Sequence, residues 1–208
     1  MRIALFTNNY LPFCGGVTIS VETLRRGLEA AGHEAWVFGP RLNGGDEASA
    51  RVVRYPSIPV TTYPEFALAV PYSRRIDRLA QALDFDVIHA HHPFLLGPAA
   101  RRLARRIGRP LVFTYHTRYE KYAHYVPLPL GLVQAAALRL SAGFAAQADA
   151  VLAPSAVIRD ELHARGRRAR GARRGSPRRA PALRRPVPRS RRTAVAPRPA
   201  RGLSLIHI

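Results

Sequence analysis

Short apolar runs alternate with amphipathic helical patterns over the first 166 residues of the chain. Six runs predict strands buried on both faces, at residues 2–6, 34–38, 51–55, 86–90, 110–114 and 150–153. Helical periodicity predicts five helices, at residues 17–31, 72–82, 98–107, 128–148 and 155–164. Gly32 is placed to end the first helix, and Ser155 to cap the last. This alternation predicts an α/β fold, a Rossmann-like doubly wound parallel sheet covered by helices on both faces.

Two further stretches carry different signals, one for a surface loop and one for a ligand-binding edge of the sheet. Residues 57–71 lie among four prolines, and their pattern indicates an irregular surface excursion. Residues 86–125 contain two predicted strands, each followed directly by histidine, tyrosine, threonine or phenylalanine. In open parallel sheets, ligands bind where loops leave the carboxyl ends of the strands. These polar aromatic residues therefore predict the working face of the protein.

The composition changes abruptly after residue 166. Residues 1–166 carry 19 Lys and Arg against 13 Asp and Glu, a net +6, whereas residues 167–208 carry 14 Arg and no acid. We expect a folded domain at 1–166 and a disordered Arg/Pro-rich tail at 167–208. The tail has two interpretations: a basic arm that binds nucleic acid, or the translation of frame-shifted GC-rich DNA ending in adapter-derived LSLIHI. We favour the second, and so expect no specific nucleic-acid partner.

The single cysteine and the first residues indicate a cytoplasmic protein. Cys14 alone excludes an internal disulfide, and Met1 leads into a strand pattern rather than a signal peptide. The longest apolar segment, residues 128–146, is interrupted by Gln134 and Arg139. We therefore expect a buried or surface-lying helix there rather than a membrane span.

Gly15 and Gly16 lie between the first predicted strand and helix. Two glycines at this place allow backbone N–H groups to approach a phosphate, and the helix N-terminus adds positive partial charge. The pair differs from the dinucleotide fingerprint and from the Walker loop. The alternative is a pair of turn residues that need positive φ. Tyr10 lies on the same loop.

Three histidines, His89, His91 and His92, suggest either a metal site or a substrate-facing rim. Alternation along a strand directs His89 and His91 to one side and His92 to the other. Because no Asp, Glu or Cys completes a ligand set in that loop, we predict no metal site. The rim interpretation gives His91 a polar contact with a substrate, and Phe94 a place in an apolar lip.

The segment YHTRYEKY holds the densest cluster of polar residues in the chain. Its histidine, His116, is suited to proton transfer or to hydrogen bonding with a hydroxyl near neutral pH. Arg118 and Lys121 could hold an anionic head group, and the Glu120 carboxylate could orient either of these basic side chains. The alternative is a loop whose tyrosines pack while its charges are merely solvated.

Taken together, these segments resemble the N-terminal domain of glycosyltransferase family 4 (group 1). That family comprises retaining, nucleotide-sugar enzymes of two-domain GT-B fold. The resemblance rests on the segments MRIALFTNNYLPFCGGV, AAGHE, DVIHAHHPFLLG, PLVFTYHTRYEKYAHYV and ADAVLAPSAVIRDEL. The segment YHTRYEKYAHY is most similar to enzymes that glycosylate diacylglycerol or phosphatidylinositol-type lipids.

The resemblance implies roles for individual residues. Gly15 and Gly16 would face the diphosphate of a UDP- or GDP-linked sugar donor, and His116 would lie beside the reacting sugar. The acceptor, a lipid or another hydroxyl compound, would contact residues of three loops, namely Tyr10, His91, Phe94, Tyr115, Thr117, Arg118, Tyr119 and Glu120. The family needs no bound metal and no cofactor beyond the donor substrate.

The resemblance also implies that half of the enzyme is absent. The family's second Rossmann domain, with its Glu-x7-Glu segment, has no counterpart in this sequence. GT-B catalysis occurs between two domains, so we expect this chain to be a truncated acceptor domain with little or no activity alone.

Arginines on the predicted helices suggest a peripheral contact with the inner face of the plasma membrane. A surface that combines basic and apolar residues favours anionic lipid. The alternative is that these arginines are only solvated residues on exposed helix faces. The arginines concerned are Arg74, Arg75, Arg78, Arg101, Arg102, Arg105 and Arg106.

Overall fold

The computed structural model describes residues 1–42, 50–60, 63–119, 121, 129–171 and 204–207. Its strands are β1 (Arg2–Phe6), β2 (Glu34–Pro40), β3 (Val52–Tyr55), β4 (Ser57–Val60), β5 (Tyr63–Ala69), β6 (Val87–Ala90), β7 (Leu111–Thr114), β8 (Ala150–Ala153) and β9 (Ser204–His207). Its helices are α1 (Gly16–Ala30), α2 (Arg74–Ala82), α3 (Leu96–Ile107), α4 (Leu130–Ala145) and α5 (Ala156–Gly171).

The main sheet is parallel throughout and confirms the predicted Rossmann-like fold. Its strands lie in the order β3-β2-β1-β6-β7-β8-β9, and every described pair is parallel. The chain runs outward from β1 through β2 to β3 and then returns to start β6 on the other side of β1. This reversal opens a crevice at the carboxyl ends of β1 and β6.

Residues on alternate sides of β1 pack against different helices. Ile3 and Leu5 face a cluster that includes Val21 of α1. Ala4 and Phe6 face the larger cluster, where the Phe6 ring stacks on that of Phe38 with centroids 4.5 Å apart. Because both faces of the strand are buried, its sequence reads as one continuous apolar run.

The segment predicted to be irregular instead forms an antiparallel ribbon of β4 and β5. Prolines are tolerated there because the ribbon has only two strands, and the outward N–H positions of an edge strand need no partner. The register shifts between Pro59 and Val60, which accommodates the irregularity. The prediction for residues 57–71 was therefore wrong over most of its length.

The boundary placed at residue 166 also differs from the structure. Helix α5 continues to Gly171, and residues 204–207 pair with β8 as β9. Residues 167–171 extend an existing helix and residues 204–207 lie at the edge of the sheet, while the disordered tail stays a prediction. Residues 172–203 lie outside the described residues.

Helix α4 carries leucines whose side chains are half or more exposed. Leu130, Leu132 and Leu140 are 50%, 64% and 59% exposed, while the carboxyl end of the helix buries Phe144 and Ala145. Within the described part of the chain, no helix is both long and apolar enough to cross a bilayer.

A set of hydrogen bonds from Asn8 holds the loop after β1 to the loop after β6. The Asn8 backbone N–H donates to His92 Nδ1, and its side-chain N–H donates to the Phe94 carbonyl. Its side-chain oxygen accepts from the backbone N–H of Leu96, the first residue of α3. Asn8 thus satisfies a donor at a helix start whose preceding residue, Leu95, has a φ of 51° and supplies no cap.

Gly97 allows α3 to begin this close to the β6 loop. A Cβ atom at this position would overlap the backbone carbonyl of His92. Any larger residue would displace either the start of α3 or the loop after β6.

Three histidines at the end of β6 are buried and neutral. Burial lowers the pKa of His89 and His92 to about 3 and lowers that of His91 well below its ordinary value. His89 Nε2 lies 2.7 Å from the Thr114 hydroxyl, which satisfies one of its ring nitrogens.

We predict that Gly97→Ala destabilises the chain by about 3 kcal/mol, because the added methyl group overpacks against backbone that cannot rotate away. Urea unfolding followed by circular dichroism would measure this change. Gly27→Ala is the matched control: Gly27 lies within α1 with nothing within 4 Å of an added Cβ, so alanine should be neutral or stabilise by up to about 1 kcal/mol. Equal unfolding midpoints for the two variants would contradict the packing argument.

We predict that stability falls as the pH falls below about 6.5. The unfolded chain binds protons on these histidines near pH 6.5, whereas the folded chain does not until about pH 3. Stability is therefore greatest above pH 6.5 and is lost as the pH falls toward the folded pKa values, by about 1.4 kcal/mol per pH unit for each histidine whose pKa is lowered in the folded chain. Urea unfolding midpoints measured from pH 7.5 to 4.5 would give the slope of stability against pH. His89→Gln removes one titrating group and should therefore reduce this slope by the contribution of one histidine. A midpoint that stays constant over this range would contradict neutral burial.

Candidate active site

Three neighbouring strands deliver the candidate residues to one edge of the sheet. Since β1, β6 and β7 are parallel and adjacent, their carboxyl ends lie at the same edge. Gly15 and Gly16 follow β1, His91 and His92 follow β6, and His116 follows β7. Neighbouring strands are about 4.8 Å apart, so the three loops surround one crevice.

The start of α1 presents free backbone donors. Gly15 is its N-cap and makes no side-chain cap bond, and the first turn contains no acidic residue. Its φ of −140° is extended, so the need for positive φ does not explain this glycine. A Cβ on Gly16 would meet nothing within 4 Å, which leaves open space above the helix N-terminus. Such an N-terminus attracts anions.

A stack of three imidazoles runs from the sheet to the crevice. The His89 and His91 rings stack with centroids 4.2 Å apart, and those of His91 and His116 lie 5.2 Å apart. His91 Nδ1 is 2.9 Å from His116 Nε2. His92 turns the other way, to Asn8, as strand alternation predicts. Burial lowers the pKa of His116 to about 4, so this half-buried ring is neutral at pH 7.

His91 does not occupy the place that the rim interpretation gives it. Its side chain is 1% exposed, so in this arrangement it lies behind His116 rather than against a substrate. Within the described part of the chain, its Nε2 atom has no hydrogen-bond partner. Sequence alternation gives the side of the strand but not the depth at which a residue lies.

Aromatic side chains wall the same edge. Phe94 meets Tyr119 edge-to-face at 4.8 Å, and Tyr119 meets Tyr115 at 6.4 Å. Tyr115 is 3% exposed and packs on Phe113, so it supports the wall from within. Burial raises the pKa of Tyr119 above its ordinary value.

Tyr10 anchors the loop that leads to Gly15 and Gly16. It is 2% exposed, its hydroxyl donates to Glu22 over 2.6 Å, and Arg54 lies over its ring. Arg25 holds the Glu22 carboxylate, and this is the main reason why the pKa of Glu22 falls to about 2. Tyr10 therefore fixes the loop to α1 instead of facing an acceptor.

The charged residues after β7 differ in their contacts and exposure. Arg118 pairs with Glu161 of α5 at 3.1 Å, so its charge is used within the fold. Thr117 is half-buried beside His116, and Lys121 is exposed. Glu120 lies outside the described residues. No group of three or more His, Cys, Asp or Glu in the described ranges is placed to hold a metal ion.

Sequence reasoning missed the residues that hold these loops in place. Asn8 and Gly97 do so through a hydrogen-bonded helix cap and a close backbone approach. A glycine at the second position of an amphipathic helix was the one visible signal.

Comparison with known proteins identifies the family. The profile of Glycosyltransferase Family 4 matches residues 14–173. The chain is 32% identical over 163 residues to the alpha-monoglucosyldiacylglycerol synthase of Streptococcus pneumoniae, covering 78% of this chain and 37% of the relative. It is 33% identical over 172 residues to a GDP-mannose-dependent alpha-mannosyltransferase of Mycobacterium tuberculosis, covering 80% and 45%. The chain thus spans less than half the length of these curated relatives.

Solved structures share the fold at low sequence identity. The sucrose-phosphate synthase of Thermosynechococcus elongatus superposes with a TM-score of 0.51 at 21% identity, covering 80% of this chain and 44% of that one. The Anabaena protein HepE, solved with UDP-glucose, gives 0.53 at 15% identity, covering 80% and 41%. With its Rossmann-like GT-B architecture and this profile match, the chain belongs to Glycosyltransferase Family 4.

Proposed function

We propose that the chain is the acceptor-side half of a glycosyltransferase that moves a sugar, with retention of configuration, from a nucleotide sugar to a lipid or sugar hydroxyl. The observation that carries this proposal is an uncapped helix start after β1 and a neutral imidazole after β7, at the same edge of the sheet on either side of β6. An anion-attracting terminus next to a group that hydrogen-bonds hydroxyls suits a sugar diphosphate.

The N-terminus of α1 would bind the donor diphosphate. Its first intrahelical bond runs from the Ile19 N–H to the Gly15 carbonyl, so the N–H groups of residues 16–18 have no acceptor within the helix. The open space at Gly16 admits a phosphate oxygen to these donors. We propose a UDP- or GDP-linked donor as the substrate and no resident metal or cofactor.

The aromatic wall would receive the acceptor. Phe94 and Tyr119 meet edge-to-face in the loops that follow β6 and β7, and the apolar part of an amphiphilic hydroxyl compound would pack against their rings. The name of the pneumococcal relative says that it makes a glucosylated diacylglycerol, which favours a lipid acceptor. The mycobacterial name specifies GDP-mannose, so the two relatives differ in sugar.

The chain supplies one wall of a two-walled site. It spans 37% and 45% of the two relatives described above, and the His116 side of the crevice has no facing domain among the described residues. We propose that this half alone has little or no activity, because a nucleotide sugar held from one side only is poorly positioned for transfer.

The exposed face of α2 would rest on an anionic membrane. Arg74, Arg75 and Arg78 point outward, and none makes an ion pair with a residue that the structure describes. Tyr72 is 67% exposed and Leu79 is 40% exposed next to them. The α3 arginines are used differently, since Arg101 binds Gln147. We propose a cytoplasmic protein that is peripheral at the inner face of the plasma membrane.

We predict that UDP-glucose or GDP-mannose shifts the NMR signals of the Gly16 amide and the His116 ring. Gly16→Ala should weaken this binding about tenfold, because a methyl group would obstruct one hydrogen bond to a charged oxygen. Gly27→Ala in the same helix is the control and should bind normally. Equal affinities for the two variants would remove the diphosphate from the start of α1.

We predict no measurable transfer by the chain alone from either donor to diacylglycerol vesicles. Joined to the donor half of the pneumococcal relative, the chain should turn over, and His116→Ala in that fusion should lower kcat about a hundredfold. The assay follows labelled sugar into the lipid phase. Rapid turnover by the unfused chain would refute the division of the site between two domains.

We predict that replacing Arg74, Arg75 and Arg78 by glutamine weakens binding to anionic vesicles at least tenfold, since each surface arginine contributes about 1 kcal/mol. Vesicle co-sedimentation would measure it. The control replaces Arg184, Arg185 and Arg189, which changes the net charge equally but lies in the basic tail. An equal loss in both variants would show that net charge, and not α2, determines binding.

A further inference from the structure

His91 and His116 share a hydrogen bond that admits two arrangements. The His91 Nδ1 and His116 Nε2 atoms are 2.9 Å apart, and a neutral imidazole carries one donor and one acceptor. Either His91 donates through Nδ1, or His116 donates through Nε2. The choice fixes which nitrogen of each ring holds its proton.

The surroundings of His91 distinguish these arrangements. Its Nε2 atom is buried and has no partner among the described residues. If His116 donates, His91 must carry its proton on this isolated Nε2 and leave a buried N–H unsatisfied. If His91 donates, only an acceptor lone pair is left without a partner. Buried N–H groups without an acceptor are the rarer of the two in folded proteins.

We propose that His91 is a positioning residue: by donating from Nδ1 to His116 Nε2, it holds His116 in the tautomer that is protonated at Nδ1. His116 then offers the crevice an N–H donor and no lone pair. Its Nδ1 atom makes no hydrogen bond to the part of the chain that the structure describes, so this donor is available to a ligand oxygen.

Burial keeps the pair neutral. The desolvation that lowers the pKa of His116 to about 4 also lowers that of His91, so neither ring is charged at pH 7. Burial is the main cause for His91, and a proton on His89, His92 or His116 would lower its pKa further by repulsion. At pH 7 the stacked rings therefore act through the direction of their N–H groups and not through a positive charge.

The consequence for chemistry rests on the proposed function. A donor at Nδ1 hydrogen-bonds a hydroxyl or leaving-group oxygen but does not remove a proton from an acceptor. On this assignment His116 stabilises the bound sugar or the developing negative charge on the diphosphate, and another group deprotonates the acceptor.

NMR of the full chain labelled with ¹⁵N-histidine tests the tautomer at pH 7.5. Two-bond proton–nitrogen correlations distinguish protonated from bare ring nitrogens, and single substitutions assign the eight histidines. We expect a bare Nε2 and a protonated Nδ1 on His116, and a protonated Nδ1 on His91. A protonated Nε2 on His116 overturns the proposal, and the native spectrum alone decides this.

Variants separate positioning from packing. His91→Asn keeps an N–H donor near the Nδ1 position and should retain the His116 tautomer, whereas His91→Phe should convert His116 to a mixture. His92→Asn is the control, because it removes a buried imidazole that does not hydrogen-bond His116, and it should leave the tautomer unchanged. Retention of a single Nδ1-protonated form in a folded His91→Phe chain would overturn the positioning role.

A titration with UDP-glucose then separates the two proposals. If His91 positions a ligand-binding donor, His91→Phe should weaken binding roughly threefold to tenfold, and His91→Asn should restore it. If the native tautomer is as expected but UDP-glucose leaves the His116 signals unchanged, the proposed function fails and the hydrogen-bond assignment stands.

Discussion

The geometry of the site depends on one asparagine that joins two loops across the crevice. Asn8 uses its backbone N–H, its side-chain amide and its side-chain oxygen on His92, Phe94 and Leu96. The bonds to His92 and Leu96 are buried and the bond to Phe94 is partly buried, so water competes little for these groups. The glycines that follow Asn8 and the aromatic residue that follows His92 therefore keep a fixed relation to each other.

His92 and His91 divide two tasks between adjacent positions of one strand end. His92 turns toward the β1 loop, and His91 turns toward His116 after β7. Because β6 lies between β1 and β7 in the sheet, side chains at its end reach both neighbouring loops. Two consecutive histidines after a central strand thus connect three loops by hydrogen bonds.

Sequence reasoning predicted the layers of the fold because burial on both faces leaves a plain signal. Continuous apolar runs marked β1 and β6, and Gly32 ended α1 as expected, with a φ of 78°. The β4–β5 ribbon was missed because its prolines carry a loop signal, and a two-stranded ribbon tolerates them. The extension of α5 was missed because Arg and Ala favour helix, while the same composition in long stretches indicates disorder.

The grouping of the candidate residues at one edge of the sheet was predictable, but their arrangement at that edge was not. The carboxyl edge of a parallel sheet follows from strand order, so residues near His116 could be grouped in advance. Loops lack a period, however, and nothing in the sequence distinguishes Phe94 on the wall from Tyr10 and His91 behind it. Those two are buried by contacts from α1 and β7 that are distant in sequence.

The leucines on α4 affect how the domain behaves as a separate molecule. Leu132 and Leu140 are 64% and 59% exposed, and exposed apolar area promotes self-association. The net charge of +20 opposes it by mutual repulsion. Because dissolved ions shorten the range of that repulsion, colloidal behaviour is set by ionic strength rather than by folding stability.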